Sequence, residues 1–390
     1  MRRMQRSDED DSPPGRGRRL VWRRLAVLVV APLLALAGAS ATAQGIWVTV
    51  APMPTPRAGL AGAAAECPDG LYGTCVYVAG GAKFEAYRPA STTWSTLPPL
   101  KTPRDSVASA TAPCPGDGHG DCVYAFGGVS GGPSLATAEA YGTQTNTWLT
   151  LPPMPAGGRQ SAAAATAPCA EGLGLRGTCV YVFGGRNTAL PGPSQILNLV
   201  EAYSPATNTW ATVTPMQTSR VGHGGAAAPC PAGLGLRGTC VYAVASGAFG
   251  VNASQSVEVY SPLLNQWMDA PDIPTGRNFL AAATAPCPEG MTDGCVYALG
   301  GRSETGATLT TVEAYSPVTN AWTTMPPMPT PHRSLAGAAA PCPRHRENRC
   351  VYAIGGLVDS GPNPTDTAEA FAIERAERRT GGALTHPPQG

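Results

Sequence analysis

From residue 46 to about 374 the chain alternates short apolar runs with breaks rich in Gly, Pro and Asn. The stretch 295–333, CVYALGGRSETGATLTTVEAYSPVTNAWTTMPPMPTPHR, shows the unit. A β-branched and aromatic run closes on two glycines, and a polar loop follows. A second run (TTVEAYSP), a four-residue turn, a Trp run and a Pro-rich link ending in Arg complete it. Each run is strand-length, alternates in polarity and is bounded by turn residues, the pattern of half-buried β-strands rather than helices. An Ala-rich run such as FLAAATAPC precedes each unit as a fourth strand. Close copies recur at CVYVAGG, CVYAFGG, CVYVFGG, CVYAVASG and CVYAIGG, at a pitch of 47 residues (Cys75 to Cys122) to 61 (Cys179 to Cys240). Self-similarity at such a period means an array of like modules.

The recurring residues define the module. The double glycines are Gly80-Gly81, Gly127-Gly128, Gly184-Gly185, Gly300-Gly301 and Gly355-Gly356, with Ser246-Gly247 read as the degenerate copy. A Tyr series follows (Tyr87, Tyr141, Tyr203, Tyr260, Tyr315, with Phe371 in the last place), then a Trp series (Trp47, Trp94, Trp148, Trp210, Trp267, Trp322). On these residues the chain resembles the kelch-repeat family. That resemblance implies an all-β, six-bladed kelch-type β-propeller with four-stranded blades around a central channel. Five in-phase repeats lie at roughly 57–98, 104–152, 159–214, 220–270 and 277–326. The run IWVTV at 46–50 is a Trp strand without partners, and the last repeat has three strands and no Trp. Each fragment alone would leave an open sheet edge. The N-terminal strand is therefore expected to close the last blade.

Twelve cysteines form six local pairs: Cys67 with Cys75, Cys114 with Cys122, Cys169 with Cys179, Cys230 with Cys240, Cys287 with Cys295, and Cys342 with Cys350. Each brackets the turn between the Ala-rich strand and the VY strand. Opposed residues of such a hairpin lie about 4.5–5.5 Å apart at Cα, within disulfide range. No His or further Cys converges on a pair, so one disulfide per blade is expected and no metal site. Such bonds persist in an oxidising compartment.

The first 43 residues fit that compartment. Arg18, Arg19, Arg23 and Arg24 precede an apolar run from Leu25 to Ala37, and the small residues ASATA follow. This is the order of an export signal cleaved after Ala43. A membrane anchor is the other possibility, and membrane contact is expected only if the leader is retained. The expected layout is signal 1–43, propeller 44–374 and a polar, disordered tail 375–390. The leader holds eight Arg against four acidic residues. Taking that +4 from the total of +1 leaves −3 for the remainder, so no basic stripe survives to meet nucleic acid.

Topology assigns chemistry to faces. In a blade of strands a to d, the a–b and c–d turns share one face, while the b–c loops and d–a links share the other. The b–c loops vary from almost nothing to about a dozen residues, and variation on a rigid scaffold is where recognition concentrates. Each d–a link on that face ends in an arginine: Arg57, Arg104, Arg159, Arg220, Arg277 and Arg333. Arg186 and Arg302 follow the double glycines of blades 3 and 5. A ring of guanidiniums at the channel mouth would suit carboxylates of acidic peptides or acidic sugars, and kelch adaptors that hold acidic peptides with arginines imply the same. Against it stands one glutamate per repeat in strand c (Glu85, Glu139, Glu201, Glu258, Glu313, Glu369), with which the arginines could form structural ion pairs.

Enzymatic kelch relatives supply the alternatives. A galactose oxidase-like copper site needs two histidines, tyrosines and a cysteine free to crosslink. Here every cysteine is paired, and only His223 and His332 reach the channel region, from different blades. A sialic acid mutarotase-like enzyme needs only a sugar pocket with acid–base groups. The leading expectation is a monomeric, exported, non-catalytic binding module for a protein or glycan ligand, anionic in character, with no cofactor.

Overall fold

The computed structural model describes residues 45–373, apart from 69–71, 117–119, 247–252, 289–293 and 360. At 193–194 and 345–348 it describes the backbone alone. The proposed leader and tail lie outside these residues. Among them are six antiparallel four-stranded sheets and no α-helix, only a 3-10 turn at Gly192–Gln195.

Blade 3 shows the common plan, with strands a (Ala163–Pro168), b (Thr178–Phe183), c (Val200–Ser204) and d (Thr209–Val213). Strands b and c are buried on both faces, whereas d is exposed or half-buried up to Val213 and forms the outer edge. Blades 1 to 5 take residues 61–97, 108–150, 163–213, 224–270 and 281–325 in order. Blade 6 joins the two ends of the chain. Its strands a (Ala336–Cys342), b (His345–Ile354) and c (Ala368–Ile373) receive Gly45–Thr49 as strand d, with Trp47 opposite Phe371. The strand that reads as partnerless in the sequence thus covers the edge that the last repeat lacks.

Three sets of contacts run from blade to blade. Each strand-d Trp donates its indole N–H to a backbone carbonyl of the link leaving the preceding blade's outer strand: Trp148 to Pro98, Trp210 to Pro152 and, across the closure, Trp47 to Pro326, each at 2.8 Å. The double glycine makes the second set. Gly128, Gly185, Gly301 and Gly356 donate to the carbonyls of Arg159, Arg220, His332 and Arg57 in the next blade, at 2.7–2.8 Å. A Cβ on Gly127 would stand 2.2 Å from the Arg159 oxygen, and its φ is +62°, so both geometry and contact require glycine there. In blade 4 these roles fall to Ala245 (φ +59°) and Ser246, which donates to Arg277 at 3.3 Å. The degenerate pair is therefore Ala245-Ser246, one residue earlier than the Ser246-Gly247 expected, and it keeps the five- and six-residue distance from the cysteine seen in the other blades.

The third set surrounds the axis. Residues 59, 106, 161, 222, 279 and 334 stand at the head of strand a with φ between 50° and 67°. Each donates its N–H to the carbonyl of the one before, and Gly59 closes the circle on Ser334. Six backbone hydrogen bonds of 2.5–3.0 Å thus form an unbroken ring around the channel. Five members are Gly or Ser; Phe279 is the bulky exception, and its ring covers Gly222.

The cysteines pair as the hairpin register requires. Cys67 is bonded to Cys75, Cys114 to Cys122 and Cys169 to Cys179. In the second half of the ring Cys230 is bonded to Cys240, Cys287 to Cys295 and Cys342 to Cys350. Their Cα separations are 4.8–5.0 Å, within the range expected of an antiparallel hairpin. Each bond stays within one blade, and no cysteine among the described residues is free.

Candidate functional site: the loop face

The d–a links and b–c loops meet at one end of the ring, and the eight arginines separate there into two groups. Arg57, Arg104, Arg159, Arg220 and Arg277 are buried, at most 8 % exposed. Their guanidiniums run into their own blade, to the strand-c carboxylate. Arg57 pairs with Glu85 at 2.6 Å, Arg104 with Glu139 at 2.7 Å, Arg220 with Glu258 at 2.8 Å, Arg159 with Glu201 and Arg277 with Glu313. Other donors hold backbone: Arg57 bonds the carbonyls of Gly80 and Lys83, and Arg104 those of Gly127 and Ala125. The carboxylates in turn accept from the link, as Glu201 does from the Ala156 N–H and Glu258 from Gln217 and Thr218. Each pair is a knot tying link, double glycine and strand c together. Burial pulls the Arg57, Arg159 and Arg277 guanidiniums down from their ordinary range, opposed by the facing carboxylate. Groups so enclosed present no surface to a ligand.

Blade 6 departs from this plan. The partner of Glu369 is His332, whose Nε2 lies 3.6 Å from the carboxylate while Nδ1 bonds the Gly355 carbonyl at 2.8 Å. Arg333 is one residue later and does not belong to the ring. The signal was present in the sequence: the five ring arginines stand ten residues before the first cysteine of their pair, as does His332, whereas Arg333 stands nine before.

That offset puts Arg333 on the outside. Residues in its register pair with the position after the double glycine: Asp105 with Val129, Gln160 with Arg186, Asn278 with Arg302 and Arg333 with Leu357. Arg333 is half-buried and donates to the carbonyls of Asp359 and Gly361 at 3.2 Å. Arg302, exposed on blade 5, donates to the Gly306 carbonyl at 3.3 Å. The two cations are close enough to couple. Burial first, then the Arg302 charge, lowers the Arg333 pKa, with Asp359 opposing. Thr308 bonds the Asp359 carbonyl across the same seam. Arg186 lies apart on blade 3, where Gln195 accepts from its Nε and Nη2 at 2.8 and 2.6 Å.

Inside the mouth the axis is narrow. The space at the backbone ring is about 90 Å3, bordered by Ser106, Ser161, Ser334, Phe279 and His223. Below it the strand-a residues are almost all Ala and Gly. No group of three metal-ligating side chains occurs among the described residues.

Six four-stranded blades closed by their own termini make this a β-propeller. A kelch motif model matches residues 111–155, 173–217 and 290–329. The chain is similar to Kelch-like protein 40 of Xenopus laevis (25% identity over 242 residues) and Kelch-like protein 35 of Mus musculus (28% over 224). These alignments cover 61% and 57% of this chain but 34% and 32% of the relatives, so the chain spans about a third of their length. Kelch-like protein terF of Aspergillus terreus is 28% identical over 242 residues, 58% of this chain and 46% of its own. Among solved structures, that of YjhT superposes with a TM-score of 0.57 at 14% identity, over 83% of this chain and 99% of that one, a likeness of fold. The chain thus carries kelch motifs on a six-bladed β-propeller.

Proposed function

We propose that this protein is a non-catalytic interaction module that binds an acidic segment of a partner protein on its loop face, at the seam of blades 5 and 6. The observation that carries the reading is the pairing of Arg302 and Arg333. Among the described residues, these two adjacent guanidiniums donate only to backbone carbonyls, with Asp359 as partial counter-charge. An anion placed between them relieves their mutual repulsion, and guanidinium forks suit carboxylates. The axial space supports a surface partner over an enclosed sugar, because about 90 Å3 is well below the roughly 300–1,000 Å3 of ordinary ligand pockets. Kelch propellers generally bind proteins, in keeping with the relatives found. Export fits the same reading: six disulfides suit an oxidising compartment, and the first 43 residues have the order of a signal.

The test is an array of acidic peptides and glycans probed with residues 44–390, followed by titration of the best binder. Arg302→Ala and Arg333→Ala should each weaken binding roughly tenfold, as loss of a charge-assisted hydrogen bond does. Affinity should fall with salt, since exposed charges are screened over about 8–10 Å. The melting temperature should hold. Binders indifferent to both substitutions would refute the assignment, and binding confined to glycans would refute the protein partner.

A further inference from the structure

On the opposite face, which carries the disulfides, a cleft of about 430 Å3 opens between blades 6 and 1. We propose that it is a second docking site, which seats an aliphatic side chain of the leucine kind from an acidic segment of a partner protein. It is independent of the loop-face reading.

The fold itself shows what the cleft accepts. In blades 3 and 4 nine residues separate the paired cysteines, and both hairpins carry the sequence GLGLRGT. Leu173 and Leu175 pack onto the apolar cluster that blade 3 shares with Tyr260 and Trp267 of the next blade. Leu234 and Leu236 do the same between blade 4 and Tyr315 and Trp322. Each of these hairpins therefore fills the outer part of its own cleft. Blade 6 has seven residues between its cysteines, PRHRENR, and none is aliphatic. Its cleft stays open, and Ile46 and Val48 on its wall are 59 % and 36 % exposed. Blade 2, whose hairpin PGDGHGD also lacks an aliphatic residue, leaves a comparable opening of about 360 Å3. That opening is lined by Asp121, Gln144 and two threonines, a poorer seat for an apolar group.

Two polar features of the blade 6 cleft set the rest of the ligand. Among the described residues Arg344 is the one charged group lining it, so the matching group is a carboxylate. Its own N–H is bonded to the Pro89 carbonyl of blade 1, which fixes the hairpin beside the c–d turn there. Beneath that turn lies Tyr87. In blades 2 to 5 the equivalent tyrosine hydroxyls donate to Asn146, Asn208, Asn265 and Asn320, at 2.5–2.8 Å. Blade 1 has Thr92 in place of the asparagine, and the buried Tyr87 hydroxyl has no partner among the described residues. Burial pushes its pKa up to about 12, with the Arg344 charge opposing, so hydroxyl and guanidinium are near neighbours. A buried donor without an acceptor is costly, and an acidic side chain drawn in by Arg344 would supply one.

Binding of the fluorescein-labelled peptide Gly-Leu-Gly-Leu-Glu-Glu to residues 44–390 is read by anisotropy. Saturable binding is expected, lost when both leucines of the peptide become serine. Replacing residues 343–349 by the blade 4 hairpin sequence PAGLGLRGT lets blade 6 fill its own cleft. This swap should weaken binding at least roughly tenfold, the scale of one buried aliphatic side chain, and hold or raise the melting temperature. Ile46→Glu, an exposed position, should weaken it similarly by repelling the acidic peptide. No saturable binding, or binding that survives both the swap and Ile46→Glu, overturns the proposal. So does saturable binding of octanoate without the peptide, which would assign the cleft to a small amphiphile.

Discussion

His223 occupies a position that the other blades give to Leu60, Val107, Ala162, Leu280 and Leu335, at the waist of the channel. It is 5 % exposed, and neither ring nitrogen finds a well-formed hydrogen bond among the described residues. Burial, and then the charge of Arg220, depress its pKa from 6.5 to about 3, with the Phe183 backbone opposing weakly. Between those values the unfolded chain takes up a proton that the folded one refuses. Stability is therefore full above about pH 6.5 and falls as the pH drops towards 3, by up to about 1.4 kcal/mol per unit. His223→Leu should remove this part of the acid slope, and urea titrations at pH 7 and pH 5 measure it: the native chain should lose more between them than the variant. Residue identity and, through the distance to the cysteine, register were legible in the sequence, but burial was not. The arginines read as a six-fold mouth because side-chain type gives charge, not surroundings. His332 takes the ring place that the repeated arginines suggest for Arg333, because the fold keeps the distance to the cysteine and not the residue type.

Elements were far easier to read. Strand-length runs, double glycines and cysteine-closed hairpins are local signals, and each recurs around the ring, so an error in one copy is corrected by the others. Contacts between elements distant in sequence were not legible in the same way. Arg159 and Glu201 are 42 residues apart, and both readings of the arginines were compatible with their spacing. The pair settles the mechanical role of the link: with both side chains fully buried, the guanidinium anchors the d–a link on strand c. Arg159→Ala should strand Glu201 without a counter-charge and cost about 3–5 kcal/mol. Chemical denaturation would show that loss, and acidic-peptide binding by the surviving folded fraction should be unaltered. A variant as stable as the native chain would contradict the anchoring role.

At the scale of the whole molecule, closure rests on one short strand. Gly45–Thr49 supplies the outer edge of blade 6, and Trp47 reaches back to the Pro326 carbonyl of blade 5. Starting the chain at residue 50 would uncover the strand containing Phe371 and leave an unpaired edge. Loss of the Trp alone predicts a cost of at least about 3 kcal/mol. Size-exclusion chromatography should then show association, and the peptide GIWVT added in excess should restore the native melting curve. A shortened chain that stays monomeric with unchanged melting would show that closure lies elsewhere.

The same pairing has a consequence under tension. Gly45 faces Ile373 across an antiparallel ladder, so the two ends of the ring leave from the same end of one strand pair. A load drawn through them would not share itself among the five rungs; it would part them singly, starting at the first. The links within blades 1 to 5, knotted by buried ion pairs and closed by disulfides, lie behind that opening and feel the pull only afterwards. The ring is thus built like a bracelet, firm along its band and released at its clasp.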